Sequence, residues 1–150
     1  MQGQVTFEDA VASDAEALAA IRVEAMRESL ERIGRFDPER ARDRILSTFS
    51  PAHTRHILSS GTKVGFFVVK PGEGGLLLEH LYVMPGRQAL GIGAAVLAEV
   101  FAQADRAGCS VRVGALRESD SNRFYARHGF VLVEQAEFDN YYVCHATNAL

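Results

Sequence analysis

Residues 76–116 constrain the fold more than any other stretch. "LLLEHLYV" (Leu76–Val83) is apolar and strand-like. "GIGAAVLAEVFAQADRA" (Gly91–Ala107) carries Ile92, Ala95, Val96, Val100 and Phe101 at helical spacing, with Gly108 behind it as terminator. "SVRVGAL" (Ser110–Leu116) is a strand again. A helix that joins two strands of one sheet brings the second back parallel to the first. Before this unit come "TRHIL" (Thr54–Leu58), a turn at Ser59–Thr62, "KVGFFVVK" (Lys63–Lys70) and the turn "PGEGG", which together predict an antiparallel meander running into Leu76–Val83. A sheet that begins as a meander and then takes one parallel crossover is mixed, so the expected class is α+β and not doubly wound.

The flanking segments fit that class. Val5, Phe7 and Val11 mark a short first strand and its exit, and Ser13 with Glu16 has the spacing of a capping box. A helix over about Asp14–Ile33 follows, with Leu18, Ile21, Val23, Ala25, Met26, Leu30 and Ile33 on its apolar stripe and Gly34 as its stop. Asp37 as N-cap and Pro38 at the first helical position start a second helix that ends before Pro51. A short helix over Ser121–His128, closed by Gly129, leads to "FVLVEQ" and a last strand, "YYVCHA".

At 150 residues with 47% hydrophobic side chains, the chain reads as one soluble domain, 1–150, with enough apolar surface for a single core. Its formal charge of −3 argues against a sequence-independent grip on nucleic acid, which needs a basic face, and leaves room for a local cationic pocket. No apolar run approaches the ~20 residues of a membrane span, and "MQGQVTFEDAV" lacks the pattern of a signal peptide, so no membrane partner and a cytoplasmic location are expected. The 5 histidines show no ligand spacing, and Cys109 and Cys144 are too few for a zinc site, so no metal is expected. Each cysteine reads as a small buried hydrophobe, with a catalytic thiol as the alternative.

Between the Leu76–Val83 strand and the following helix lies "LYVMPGRQALGIGAAVL". The first amides of a helix lack intrahelical partners and stand at the positive end of its dipole, so they can bind a phosphate directly. Gly91, Gly93 and Ala94 keep side chains out of that approach, and Arg87 adds a positive charge nearby. A P-loop would close on Gly-Lys-Ser/Thr where this chain has Gly93-Ala94-Ala95. A Rossmann fingerprint would need glycine where Val96 stands.

With these residues in view, the segment resembles the coenzyme A loop of the GCN5-related N-acetyltransferases (GNAT), an Arg/Gln-x-x-Gly-x-Gly/Ala signature after a strand ending Val-x-Pro. Gln88, Gly91 and Gly93 occupy its fixed positions, while Ala89 and Leu90 stand where a basic residue or glycine is common. A second block, Asn, then Phe-Tyr, then Gly-Phe, is present as "SNRFYARHGFVLVE", and the likeness extends over about Val5–Val143. It implies a GNAT fold: a mixed, mostly antiparallel sheet of about seven strands split in a V and flanked by about four helices. It also implies acetyl-CoA as co-substrate, bound by Leu81, Tyr82, Val83, Arg87, Gln88, Ala89, Leu90, Gly91, Ile92, Gly93, Ala94, Asn122 and Tyr125.

The implied reaction is direct acetyl transfer to a primary amine of a small molecule or peptide. An alkylammonium titrates near ~10, so a base must take its proton before attack. Glu79 shares a strand face with Val83 and is the candidate, with His80 on the other face in reserve and a solvated strand glutamate as the plain alternative. The Val83 amide is the expected donor to the thioester oxyanion. Tyr125 matches the family tyrosine beside the CoA sulfur, and Asn122 stands one turn before it. Met26, Arg27, Leu30, Phe36 and Tyr141 are expected to line the acceptor site together with Glu79. The arginines of that wall, Arg27, Arg40 and Arg44, either pair with an acid group or form a solvated face. A protein N-terminal or lysine acetyltransferase and a non-catalytic acyl-CoA-binding module stay open as other readings, as does a homodimer.

Overall fold

The computed structural model describes residues 4–87 and 91–145. Among them the order is β1 (Val5–Asp9), α1 (Ala15–Arg32), α2 (Pro38–Thr48), β2 (Thr54–Ser59), β3 (Thr62–Gly72), β4 (Gly75–Val83), α3 (Ile92–Ala107), β5 (Ser110–Leu116), α4 (Ser121–Arg127), β6 (Val131–Gln135) and β7 (Asp139–Cys144). Short 3-10 turns occupy Ala12–Asp14 and Pro51–His53. The strands make a 7-stranded sheet in the order β1-β2-β3-β4-β5-β7-β6. Pairing is antiparallel for β1/β2, β2/β3, β5/β7 and β6/β7 and parallel for β4/β5, the mixed α+β arrangement that the crossover demanded. The parallel register runs from Gly75↔Ser110 to Leu78↔Val113, while β4 itself continues to Val83.

Two compact units can be distinguished, Met1–Val68 with His80–Val96 and Val69–Glu79 with Leu97–Leu150, so that β3, β4 and α3 each contribute to both. The core of the first gathers Ala10, Leu18, Ala19, Ile45, Phe66 and Val68, with Ile21, Leu46, Phe49 and Tyr82 packed against it. Alternation sends Phe67 to the other face of β3, where its ring meets Phe7 edge-on at 5.3 Å. Helix α2 starts as its sequence predicts, with Pro38 in the first turn and the Asp37 carboxylate accepting the Arg40 N–H at 3.2 Å. Gly34 ends α1 in the left-handed conformation, φ 70°.

The cap at the start of α1 differs from expectation. Asp14, not the Ser13 and Glu16 pair, closes the turn: its Oδ2 accepts the Val11 N–H at 2.8 Å and stands 2.8 Å from His56 Nε2 on β2. Glu16 instead pairs with Arg42 of α2 at 2.6 Å. His56 is only 4% exposed, and a buried imidazole secures a carboxylate partner that no local spacing reveals.

In the second unit Leu97, Val100 and Ala104 of α3, Val111, Val113 and Ala115 of β5, and Tyr125, Phe130, Tyr142 and Val143 are buried. β6 is different. Every one of its residues is exposed, although "VLV" is apolar, and with β7 beside β5 the strand lies at the sheet edge.

Candidate functional site

In the first unit, the Met84 N–H donates to Val64 O on β3 at 2.7 Å. The approach of β3 is close: a Cβ on Gly65 would collide with the Tyr82 carbonyl oxygen, which is why that position is glycine. The chain then turns, with the Arg87 N–H on Met84 O at 3.0 Å and Arg87 exposed. Gln88, Ala89 and Leu90, expected in the cofactor loop, lie outside the described residues.

At Gly91 the chain enters α3. Gly91 has φ 75° and open space where a Cβ would stand, so backbone conformation, not room, requires glycine here. Its carbonyl accepts the Ala95 N–H at 3.2 Å, which leaves Ile92, Gly93 and Ala94 as the first-turn amides without an intrahelical acceptor. Ile92, 1% exposed, anchors the entrance in the core.

On the α1 side of β4, Tyr82 Oη receives Arg22 Nε–H at 3.0 Å and lies 3.0 Å from His80 Nδ1. Arg22 was not among the sequence candidates. The signal was present: it stands four residues after Leu18 and three after Ala19, a cation on the buried stripe. Of the expected acceptor wall, Met26, Leu30 and Phe36 are half-buried. Arg27 pairs with Glu24 at 3.1 Å and covers the Phe36 ring at 4.5 Å, so the structure engages it inside the wall. Arg40 and Arg44 are exposed on α2.

In the second unit Glu79 forms an ion pair with Lys70 at 2.8 Å, the two side chains 15% and 25% exposed. It is therefore a sheltered, oriented carboxylate and not one on a solvated face. Tyr125 is 5% exposed, its ring between Phe124 at 5.4 Å and Phe130 at 5.3 Å. Asn122 is saturated by the protein. Its Nδ2 donates to Leu116 O at 2.7 Å and Ser119 O at 2.8 Å, and its Oδ1 accepts from Asn140 Nδ2 at 2.9 Å and Tyr142 Oη at 2.8 Å. Both amide hydrogens and both lone pairs are thus used, so Asn122 acts here by holding the β5–α4 turn, and a direct bond to pantetheine would require one of these to be released. Of the two tyrosines on β7, Tyr142 is the buried one and Tyr141 is 40% exposed. Burial, with Asp105 behind it, pushes the Cys144 thiol up, against the thiolate that a nucleophile needs. Among the described residues no cluster of His, Cys, Asp and Glu could hold a metal, and no helix is long and apolar enough to cross a membrane.

This geometry can be set beside known proteins. Residues 52–132 match the acetyltransferase (GNAT) domain family. No curated protein matches the chain. Among solved structures, the PaiA N-acetyltransferase of Thermoplasma acidophilum in complex with coenzyme A is similar over 95% of this chain and 99% of its own, with a TM-score of 0.78 at 18% identity. A GCN5-related N-acetyltransferase of Rhodopseudomonas palustris gives a TM-score of 0.78 at 18% identity over 97% of this chain and 98% of its own. An acetyltransferase of Thermus thermophilus gives 0.76 at 16% identity over 97% and 99%. At these identities the structures speak for the fold, while the domain match covers more than half of the 150 residues. A mixed sheet with a glycine-capped crossover helix, matched by that domain, places the chain in the GNAT acetyltransferase family.

Proposed function

We propose that the protein is an acetyl-CoA-dependent N-acetyltransferase that moves the acetyl group directly to a primary amine of a small molecule or peptide. The observation that carries this reading is the Gly91 entrance of α3, where first-turn amides and two small residues suit a diphosphate that must touch backbone. The backbone of Leu81 and Val83 at the end of β4 is the proposed partner of the amide-bearing pantetheine arm. A coenzyme A complex of the Thermoplasma acidophilum protein supports the same donor.

Residue roles follow from chemistry. The amine nitrogen attacks the thioester carbon while Glu79, directed by Lys70, takes the proton, directly or through water. The Val83 N–H receives the oxygen as it gains charge, and as the C–S bond breaks, the Tyr125 hydroxyl gives its proton to the thiolate. Asn122 contributes by fixing the turn from which α4 carries Tyr125.

An acetyl-transfer assay across polyamines, amino acids and peptides tests this. At least one class should be acetylated, and Tyr125→Phe should lower kcat about 10²-fold with coenzyme A affinity near normal. Glu79→Gln should weaken the limb of the pH profile that reports amine deprotonation. Binding of acetyl-CoA with no transfer to any amine would replace the enzyme reading by an acyl-CoA-binding module.

A further inference from the structure

We infer that Arg22 and Tyr82 are positioning residues that hold His80 with its proton on Nε2 and its Nδ1 lone pair occupied, so that His80 does not take the amine's proton. A guanidinium has only N–H groups to offer, so at 3.0 Å from Tyr82 Oη the Arg22 Nε donates. The phenol then has one proton of its own, and His80 Nδ1, also at 3.0 Å, is its acceptor among the described residues. The chain runs Arg22 Nε–H to Tyr82 Oη–H to His80 Nδ1, and a neutral imidazole that accepts at Nδ1 carries its hydrogen at Nε2. The cation at the head of the chain polarises the phenol and makes it the stronger donor.

Each member is held in place. Arg22 Nη1 donates to Ala41 O on α2 at 2.9 Å, and the Arg22 guanidinium carbon lies 5.8 Å from the Tyr82 ring centre. The Tyr82 ring leans on Phe66 at 5.5 Å, and His80 is 5% exposed. Helices α1 and α2 thereby fix the protonation pattern of a strand residue next to Glu79. Of the two bases that the sequence leaves open, His80 is thereby set aside in favour of Glu79. That consequence rests on the acetyl-transfer reading, whereas the direction of the hydrogen bonds does not.

Two-bond 15N–1H correlation spectra of the histidine side chains of the free protein, with the His80 signals assigned by their loss in His80→Gln, give the test. The expected wild-type pattern is hydrogen at Nε2 with Nδ1 as hydrogen-bonded acceptor. Tyr82→Phe should move the Nδ1 resonance downfield toward a nitrogen with no donor, and Arg22→Gln should move it the same way by less. A wild-type ring with its hydrogen on Nδ1, or an Nδ1 resonance unmoved in Tyr82→Phe, would overturn the assignment. An unmoved resonance in Arg22→Gln would remove Arg22 from the chain. The wild-type spectrum needs no variant to fold and no substrate, so a failure here is distinct from a failure of acetyl transfer.

Discussion

Asn122 holds the turn between β5 and α4 with one side chain, and its two acceptor-side partners come from β7, 18 and 20 residues further along. Replacing it with alanine leaves the Asn140 amide and the Tyr142 hydroxyl, both in buried residues, without that acceptor. Each such loss costs about 1–3 kcal/mol, so Asn122→Ala should lower the unfolding free energy in urea by roughly 2–4 kcal/mol. A loss below about 0.5 kcal/mol would mean that the network does not hold the turn. The residue itself was legible from its motif, but its engagement was not, because hydrogen-bond partners that far apart leave no mark on local spacing. The same holds for Glu79: alternation put it on the face of Val83, yet the Lys70 partner became visible only with β3 beside β4. Arg22 shows the opposite case, since a cation four residues after a buried leucine is a signal that local spacing carries.

At the scale of elements, boundaries set by local conformation were readable and those set by tertiary partners were not. Gly34 and Gly91 sit in the left-handed region where their helix ends required it, and Pro38 opens α2. The start of α1 was placed to within a residue, but its cap was not read, because Asp14 draws on His56, 42 residues away. That pin carries a pH signature. The Val11 N–H first, and His56 second, hold the Asp14 carboxyl below its usual range. A carboxyl with a lowered folded pKa stabilises above its unfolded value, about 3.9, and loses that contribution as pH falls through the lower folded value. Asp14→Ala should therefore cost about 1 kcal/mol near pH 7, with the gap to wild type closing below about pH 4. A gap that is the same at both pH values would show that the carboxylate's charge plays no part.

For the whole molecule, the order of elements and the mixed sheet were legible because a helical crossover after an antiparallel meander admits few arrangements. The position of β6 was not, since chain order does not say that β7 inserts between β5 and β6. The glycine at the start of α3 was readable for a related reason: backbone conformation leaves glycine at fixed places, and Gly91 has φ 75°. Side-chain engagement was less readable, because partners such as Glu24 beside Arg27 are settled in three dimensions.

The central claim is that the free chain binds acetyl-CoA, and a thermal melt with and without it tests that claim most directly. A ligand that binds only the folded state adds about 2.7 kcal/mol at a hundred times its Kd, which for a chain of this size corresponds to a Tm rise on the order of 5–10 °C. We predict that rise with acetyl-CoA and coenzyme A. A melt unchanged by saturating acetyl-CoA would contradict the account.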